Sequence, residues 1–151
     1  MKTLRLLTAV LLLIPAPLLI AGEHDAILGN WTTANAKSTV QLYTCGTKVC
    51  GKIIALKEPM YPADDKQGMA GKTKIDRENP DAKLRKKPLI GLVILRDLQR
   101  TEEGRWKHGT IYDPENGKTY KSRLTLVSPK QLDVRGFIGF ALIGRTTEWT
   151  R

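Results

Sequence analysis

The sequence is poor in the residues that carry out chemistry. Its 151 residues include two His, two Cys and three Ser. None of Ser38, Ser122 and Ser128 lies in Gly-x-Ser-x-Gly, so the nucleophile elbow of a hydrolase is missing. His24 falls near the start, which leaves His108 as the one His in a predicted strand. A lone His with no Cys nearby does not make a metal site or an acid–base pair. Carboxylates such as Asp64, Asp65, Asp76 and Asp81 cluster in a predicted loop, where no fixed geometry supports catalysis. Beyond residue 22 the longest apolar runs are 89–95 and 137–143, well short of the ~20 residues a spanning helix needs. Sustained helical periodicity is missing as well. The expectation is a protein that is not an enzyme, holds no metal or cofactor, and has no transmembrane segment in its mature form.

The first residues differ from the rest. Lys2 and Arg5 precede an apolar stretch, 6–20, broken by Pro15-Ala16-Pro17. Small residues Ala21 and Gly22 follow, then Glu23, His24 and Asp25. A basic start, a short apolar centre and a small-residue exit predict a secretory signal peptide over 1–22, leaving one domain over 23–151. No Cys stands at the exit, so a lipid anchor there is not expected. The whole chain carries +10; without Lys2 and Arg5 it has 23 basic against 15 acidic residues, or +8. Export and the interspersed acids argue against nucleic acid as partner. They point to the periplasm or to secretion.

Cysteine usage agrees with an oxidising compartment. Cys45 and Cys50 flank Gly46-Thr47-Lys48-Val49 between apolar, strand-prone segments. A turn through 46–49 is expected to set Cys45 opposite Cys50 and allow a disulfide. Redox-active pairs usually have two intervening residues, and here there are four.

The mature chain reads as strands: short alternating or apolar runs punctuated by Gly, Pro, Asn and Asp. Eight are predicted, over 27–33, 39–45, 50–56, 89–96, 105–112, 119–127, 131–138 and 145–150. In the sixth, Tyr120, Ser122, Leu124 and Leu126 oppose Lys121, Arg123 and Thr125, which is one buried and one wet face. Asp113-Pro114-Glu115-Asn116-Gly117 is a strong turn signal. Consecutive hairpins make a meander, and closure into an antiparallel barrel removes its exposed edges. One connection, 57–88, is far longer than a hairpin turn. Its Asn79-Pro80-Asp81 start and Pro88 stop predict a short helix, with Asp76, Asn79 and Asp81 ordering the loop by side-chain-to-backbone bonds.

Several motifs occur in order. They include Leu28-Gly29-Asn30-Trp31, Cys45-Gly46 with Cys50-Gly51, and Asp76-Arg77-Glu78-Asn79-Pro80-Asp81. Next come Leu84-Arg85 and Pro88-Leu89-Ile90-Gly91-Leu92, then 111–120 from Ile111-Tyr112 through Asn116-Gly117 to Thr119-Tyr120. The last is 142–151, which includes Gly144-Arg145-Thr146-Thr147-Glu148-Trp149. Together they resemble the bacterial exported family known as domain of unknown function 2147. The resemblance covers nearly the whole mature chain. It implies a small lipocalin-like barrel and brings no established activity. In lipocalins a Gly-x-Trp stands on the first strand and an Arg from the last strand packs over the Trp. Gly29-Asn30-Trp31 supplies the first part, and Arg145, ahead of Arg151, is expected to supply the second as a barrel-closing contact.

Two functional readings follow. In the first, the barrel holds a small apolar or amphipathic ligand. Tyr43, Val93, Tyr112, Tyr120 and Leu124, chosen by alternation, would line it, and the long loop would serve as its lid. In the second, a solid barrel acts as a protein-interaction or inhibitor module in the cell envelope. The basic run Lys83-Leu84-Arg85-Lys86-Lys87 is a solvated loop face or a contact for an anionic partner, either lipid headgroups or an envelope protein.

Overall fold

The computed structural model describes residues 26–140 and 142–151. The expected leader over 1–22 lies outside the described residues. Eight antiparallel strands form one closed barrel in chain order. They are β1 (Gly29–Thr32), β2 (Ser38–Cys45), β3 (Lys48–Leu56), β4 (Val93–Glu102), β5 (Arg105–Asp113), β6 (Lys118–Ser128), β7 (Gln131–Phe137) and β8 (Gly144–Thr150). The ring shuts where Thr32 of β1 pairs with Thr150 of β8. A 3₁₀ turn at Ala34–Ala36 joins β1 to β2. Among the described residues no helix is long and apolar enough to cross a membrane.

Alternation explains the interior. Val40 and Leu42 of β2, Leu124 of β6, and Leu132 and Val134 of β7 are buried, with polar residues between them. β4 and β5 break the alternation at one shared level. On β4, Leu95 and Leu98 are buried with Arg96 and Asp97 between them; on β5, Trp106 and Gly109 are buried with Lys107 and His108 between. Asp97 (φ 59°) and His108 (φ 64°) take the left-handed conformation that absorbs each extra residue. The two bulges cancel across the shared ladder, since Arg96 still pairs with Thr110 and Gln99 with Lys107. A side chain added at Gly109 would press on Leu98, so this level requires a glycine.

β4 also begins and ends later than expected. A strand over 89–96 was predicted from its apolar run. Instead, 89–92 bonds to other partners: Leu89 N donates to Lys74 O and Gly91 N to Ile53 O, while Leu92 O accepts from Ile53 N. The strand then continues through the polar stretch to Glu102.

The first hairpin is tighter than predicted. Its turn is Gly46-Thr47 alone, with Cys45 registered to Lys48 and Cys50 to Tyr43. Cys45 and Cys50 are therefore diagonal neighbours on one face rather than opposite residues. Their Cα atoms are 5.8 Å apart and the disulfide forms.

The long connection has no helix. At its predicted start the chain makes two successive tight turns, Leu84 N to Asp81 O and Lys87 N to Leu84 O. A Pro at each end and short Asx bonds favour turns over propagation. The loop is tied internally: Tyr61 N donates to Lys72 O, Lys74 N to Pro59 O and Asp76 N to Lys87 O. Its link to the barrel runs over the β5–β6 turn, where Gly117 (φ 69°) lies so close to the Glu78 carbonyl that any Cβ would collide with it.

Candidate functional site

The two ends of the barrel differ. At one end lie the β2–β3, β4–β5 and β6–β7 turns with the segment before β1, and this end is sealed. Trp31 is fully buried, its Nε1 donating to Ile27 O at 2.8 Å. The Arg151 guanidinium stacks 4.2 Å from the Trp31 ring centroid. It also donates to Pro129 O at 2.7 Å and to Leu28 O and Ala26 O at 2.9 Å. The Arg expected here was Arg145, and the structure corrects that. β8 runs from the open end to the sealed one, so Arg145 at its start is at the wrong end and Arg151, just past its finish, reaches Trp31. Above the floor, Leu42, Val49, Leu95, Leu98, Trp106, Leu124 and Leu132 pack a dry layer.

Above that layer the barrel is hollow. A cavity of about 1230 Å³ opens among the β1–β2, β3–β4, β5–β6 and β7–β8 connections. Its deep wall is apolar: Ile53, Ile94, Ile111, Val134 and Trp149; Tyr120 also lines it, its hydroxyl accepting from Asn116 Nδ2 at the β5–β6 turn. Its rim is charged. Lys37 bonds Glu115 at 2.9 Å, Arg77 bonds Asp65 at 2.7 Å, and Lys74 stands 3.9 Å from Glu58. Lys57 and Arg145 also line the rim, and neither has a side-chain partner among the described residues.

One side of the rim is built by the long loop. Asp76 is completely buried. Its carboxylate accepts from the Tyr112 hydroxyl and from Asn79 Nδ2, each at 2.6 Å. Asn79 Oδ1 accepts from Asp81 N, and Asp81 Oδ1 from Lys83 N, both at 2.9 Å. Burial, and then the Asp76 carboxylate, push the Tyr112 hydroxyl well above its ordinary pKa of 10.0. Tyr61 receives Arg77 over its ring at 4.3 Å. The Arg77 hydrogen bond, with backbone donors from Met69 and Gln67, holds the Asp65 carboxyl below its ordinary 3.8.

The five residues chosen for the cavity wall separate. Tyr112 and Tyr120 line the cavity. Leu124 points inward but sits in the dry layer below it. Tyr43 alternates with buried Leu42, so it faces outward, where Lys52 Nζ lies 5.3 Å from its ring. Val93 is registered with that outward Lys52 and is not in the wall. The register slip against β3 between Val93 and Leu95 turned it from its expected face. Wall residues not anticipated are Ile53, Ile94, Ile111, Val134 and Trp149. Fixing the parity of β3, β7 and β8 against buried Val40 and Leu42 would have found three of them. Lys83, Lys86 and Lys87 are exposed on the long loop, whereas Arg85 spends its Nε on Asn79 O at 2.7 Å. Among the described residues no group of three His, Cys, Asp or Glu is placed to hold a metal ion.

An eight-stranded meander barrel, sealed at one end by an Arg over a Trp and hollow at the other, defines a lipocalin-like protein. The chain belongs to the bacterial family described as "Uncharacterized protein conserved in bacteria (DUF2147)", whose model matches residues 29–151. No curated protein matches it. Among solved structures it is similar to protein HP1028 from Helicobacter pylori, described as belonging to the lipocalin family. The two share 27% identity with a TM-score of 0.68, over 82% of this chain and 81% of that one.

Proposed function

We propose that this protein is an exported, non-enzymatic carrier that holds a small amphipathic molecule in its barrel. The observation that carries the reading is the cavity of about 1230 Å³ with an apolar depth and a charged rim. Sites for small molecules run to about 300–1,000 Å³, so a ligand of that size fits. The five apolar wall residues suit a hydrocarbon body. Lys57 and Arg145, which have no side-chain partner among the described residues, suit an acidic or strongly polar head. A hollow interior favours this reading over a solid scaffold that works only through its outer surface. The disulfide supports an oxidising compartment such as the periplasm, and the basic, apolar, small-residue leader over 1–22 supports export.

Native mass spectrometry of protein purified from its own bacterium tests the proposal. A co-purifying small molecule, lost when Ile111→Trp fills the cavity, is the expected result. An empty wild-type protein that also fails to bind long-chain acids and alcohols would refute it.

A further inference from the structure

The connection between β7 and β8 has an unusual surface. Ile138 is 62% exposed, Phe140 83%, Leu142 92% and Ile143 69%. Turns between strands are ordinarily polar. Here four large apolar side chains fall within residues 138–143, and nothing in the described chain covers them. The tip is nevertheless shaped. Ile138 N donates to Ile143 O at 3.0 Å, Ile143 N to Phe140 O at 3.1 Å, and an Arg135 nitrogen reaches Leu142 O at 3.4 Å. Ile138 and Ile143 also line the cavity, which places the tip on the open rim.

Charge selects the occupant. Exposed Lys121 is registered with Phe137, and exposed Arg123 with Arg135. The acidic residues of these strands, Asp133 and Glu148, pair with each other farther from the tip. The apolar tip therefore emerges from a cationic collar. Two copies meeting tip to tip would bring the collars together, so a second copy is disfavoured.

We propose that this tip docks the protein on a bilayer bearing anionic headgroups. Phe140 and Leu142 enter the boundary between headgroups and acyl chains, and Lys121 and Arg123 meet the phosphates. Docking of this kind would hold the cavity mouth at the membrane surface. It stands independently of what the cavity contains.

Vesicle flotation tests it. The full chain is expressed and purified after whatever processing its host performs, so that every variant shares one N-terminus and differences belong to the tip. Vesicles are pure phosphatidylcholine or contain about one third phosphatidylglycerol. Wild type is expected to float with the anionic vesicles and to release between about 0.1 and 1 M salt. The double variant Phe140→Ser/Leu142→Ser should bind about tenfold more weakly. Lys121→Glu/Arg123→Glu should lose at least about fivefold, on anionic vesicles only. Both variants change exposed side chains, so an unaltered melting temperature shows that the fold is intact. Absent wild-type binding overturns the proposal, and so does undiminished binding of the serine variant. Loss only on changing Lys83, Lys86 and Lys87 to Ala would move the contact to the long loop and overturn it. A wild-type dimer that dissociates in the serine variant would assign the tip to self-association instead.

Discussion

The Tyr112 hydroxyl, on β5, donates to the buried carboxylate of Asp76 at 2.6 Å and so ties the long loop to the barrel at the cavity rim. Removing the hydroxyl leaves a buried acceptor one bond short. Tyr112→Phe is expected to cost about 1–3 kcal/mol in urea unfolding. The pH dependence has a definite sign. The folded protein holds the Tyr112 hydroxyl above its ordinary 10.0, so the stability it confers is complete below pH 10 and declines as pH rises beyond that. The Phe variant should lose this part of the alkaline decline; an unchanged alkaline limb would show that Tyr112 does not contribute it.

The other clamp on the loop responds to acid. Asp65 is held below 3.8 by Arg77, so its stabilisation is present above that pH and is lost as pH falls through the lowered value. Limited proteolysis of the loop should accelerate only below the ordinary carboxylate range. Asp65→Asn should be cleaved faster at neutral pH and show little further change on acidification through that range. Equal cleavage of both proteins at neutral pH would show that the ion pair does not hold the loop.

Arg151 and Arg145 are expected to separate stability from binding. Arg151→Ala removes the stack on Trp31 and three carbonyl contacts, and should cost about 2 kcal/mol. Arg145→Ala removes no side-chain bond among the described residues and should stay within about 0.5 kcal/mol of wild type. On the carrier reading it should weaken binding of a long-chain acid about tenfold while leaving the matching alcohol unaffected. Trp149 fluorescence, from the cavity wall, can follow both titrations. Equal losses for acid and alcohol would count against Arg145 as a headgroup contact.

The disulfide closes a very short loop. Cys45→Ser/Cys50→Ser should lower stability by about 2 kcal/mol on the chain-entropy estimate. Thermal melts with and without reductant check this, since reduced wild type should coincide with the variant.

Sequence pattern was a good guide wherever one physical rule acted alone. Alternation located β6 and β7 almost to the residue, and Asp113 to Gly117 turned where its chemistry demands. It failed where two rules met. On β4, 89–92 bonds outside the strand and the register against β3 slips between Val93 and Leu95, so the apolar run of 89–95 does not mark a single face. Val93 was misassigned for that reason. Arg145 and Arg151 lie on the same strand path, and only the direction of β8 relative to the sealed end distinguishes them. Tyr43 required the parity of its partner strand. The charged rim was beyond reach, because it joins residues from four connections that only barrel closure assembles.

The seam between β1 and β8 is fastened by one registered pair, whereas the β7–β8 seam has seven. The other seams join strands adjacent in sequence; this one joins the two ends of the domain. Contacts of such long sequence separation form late in folding. Arg151, which grips Ala26 and Leu28 across that seam, should therefore contribute little to the folding transition state. Its loss should leave the folding rate nearly unchanged and appear as faster unfolding, so Arg151 governs how long the barrel survives once formed.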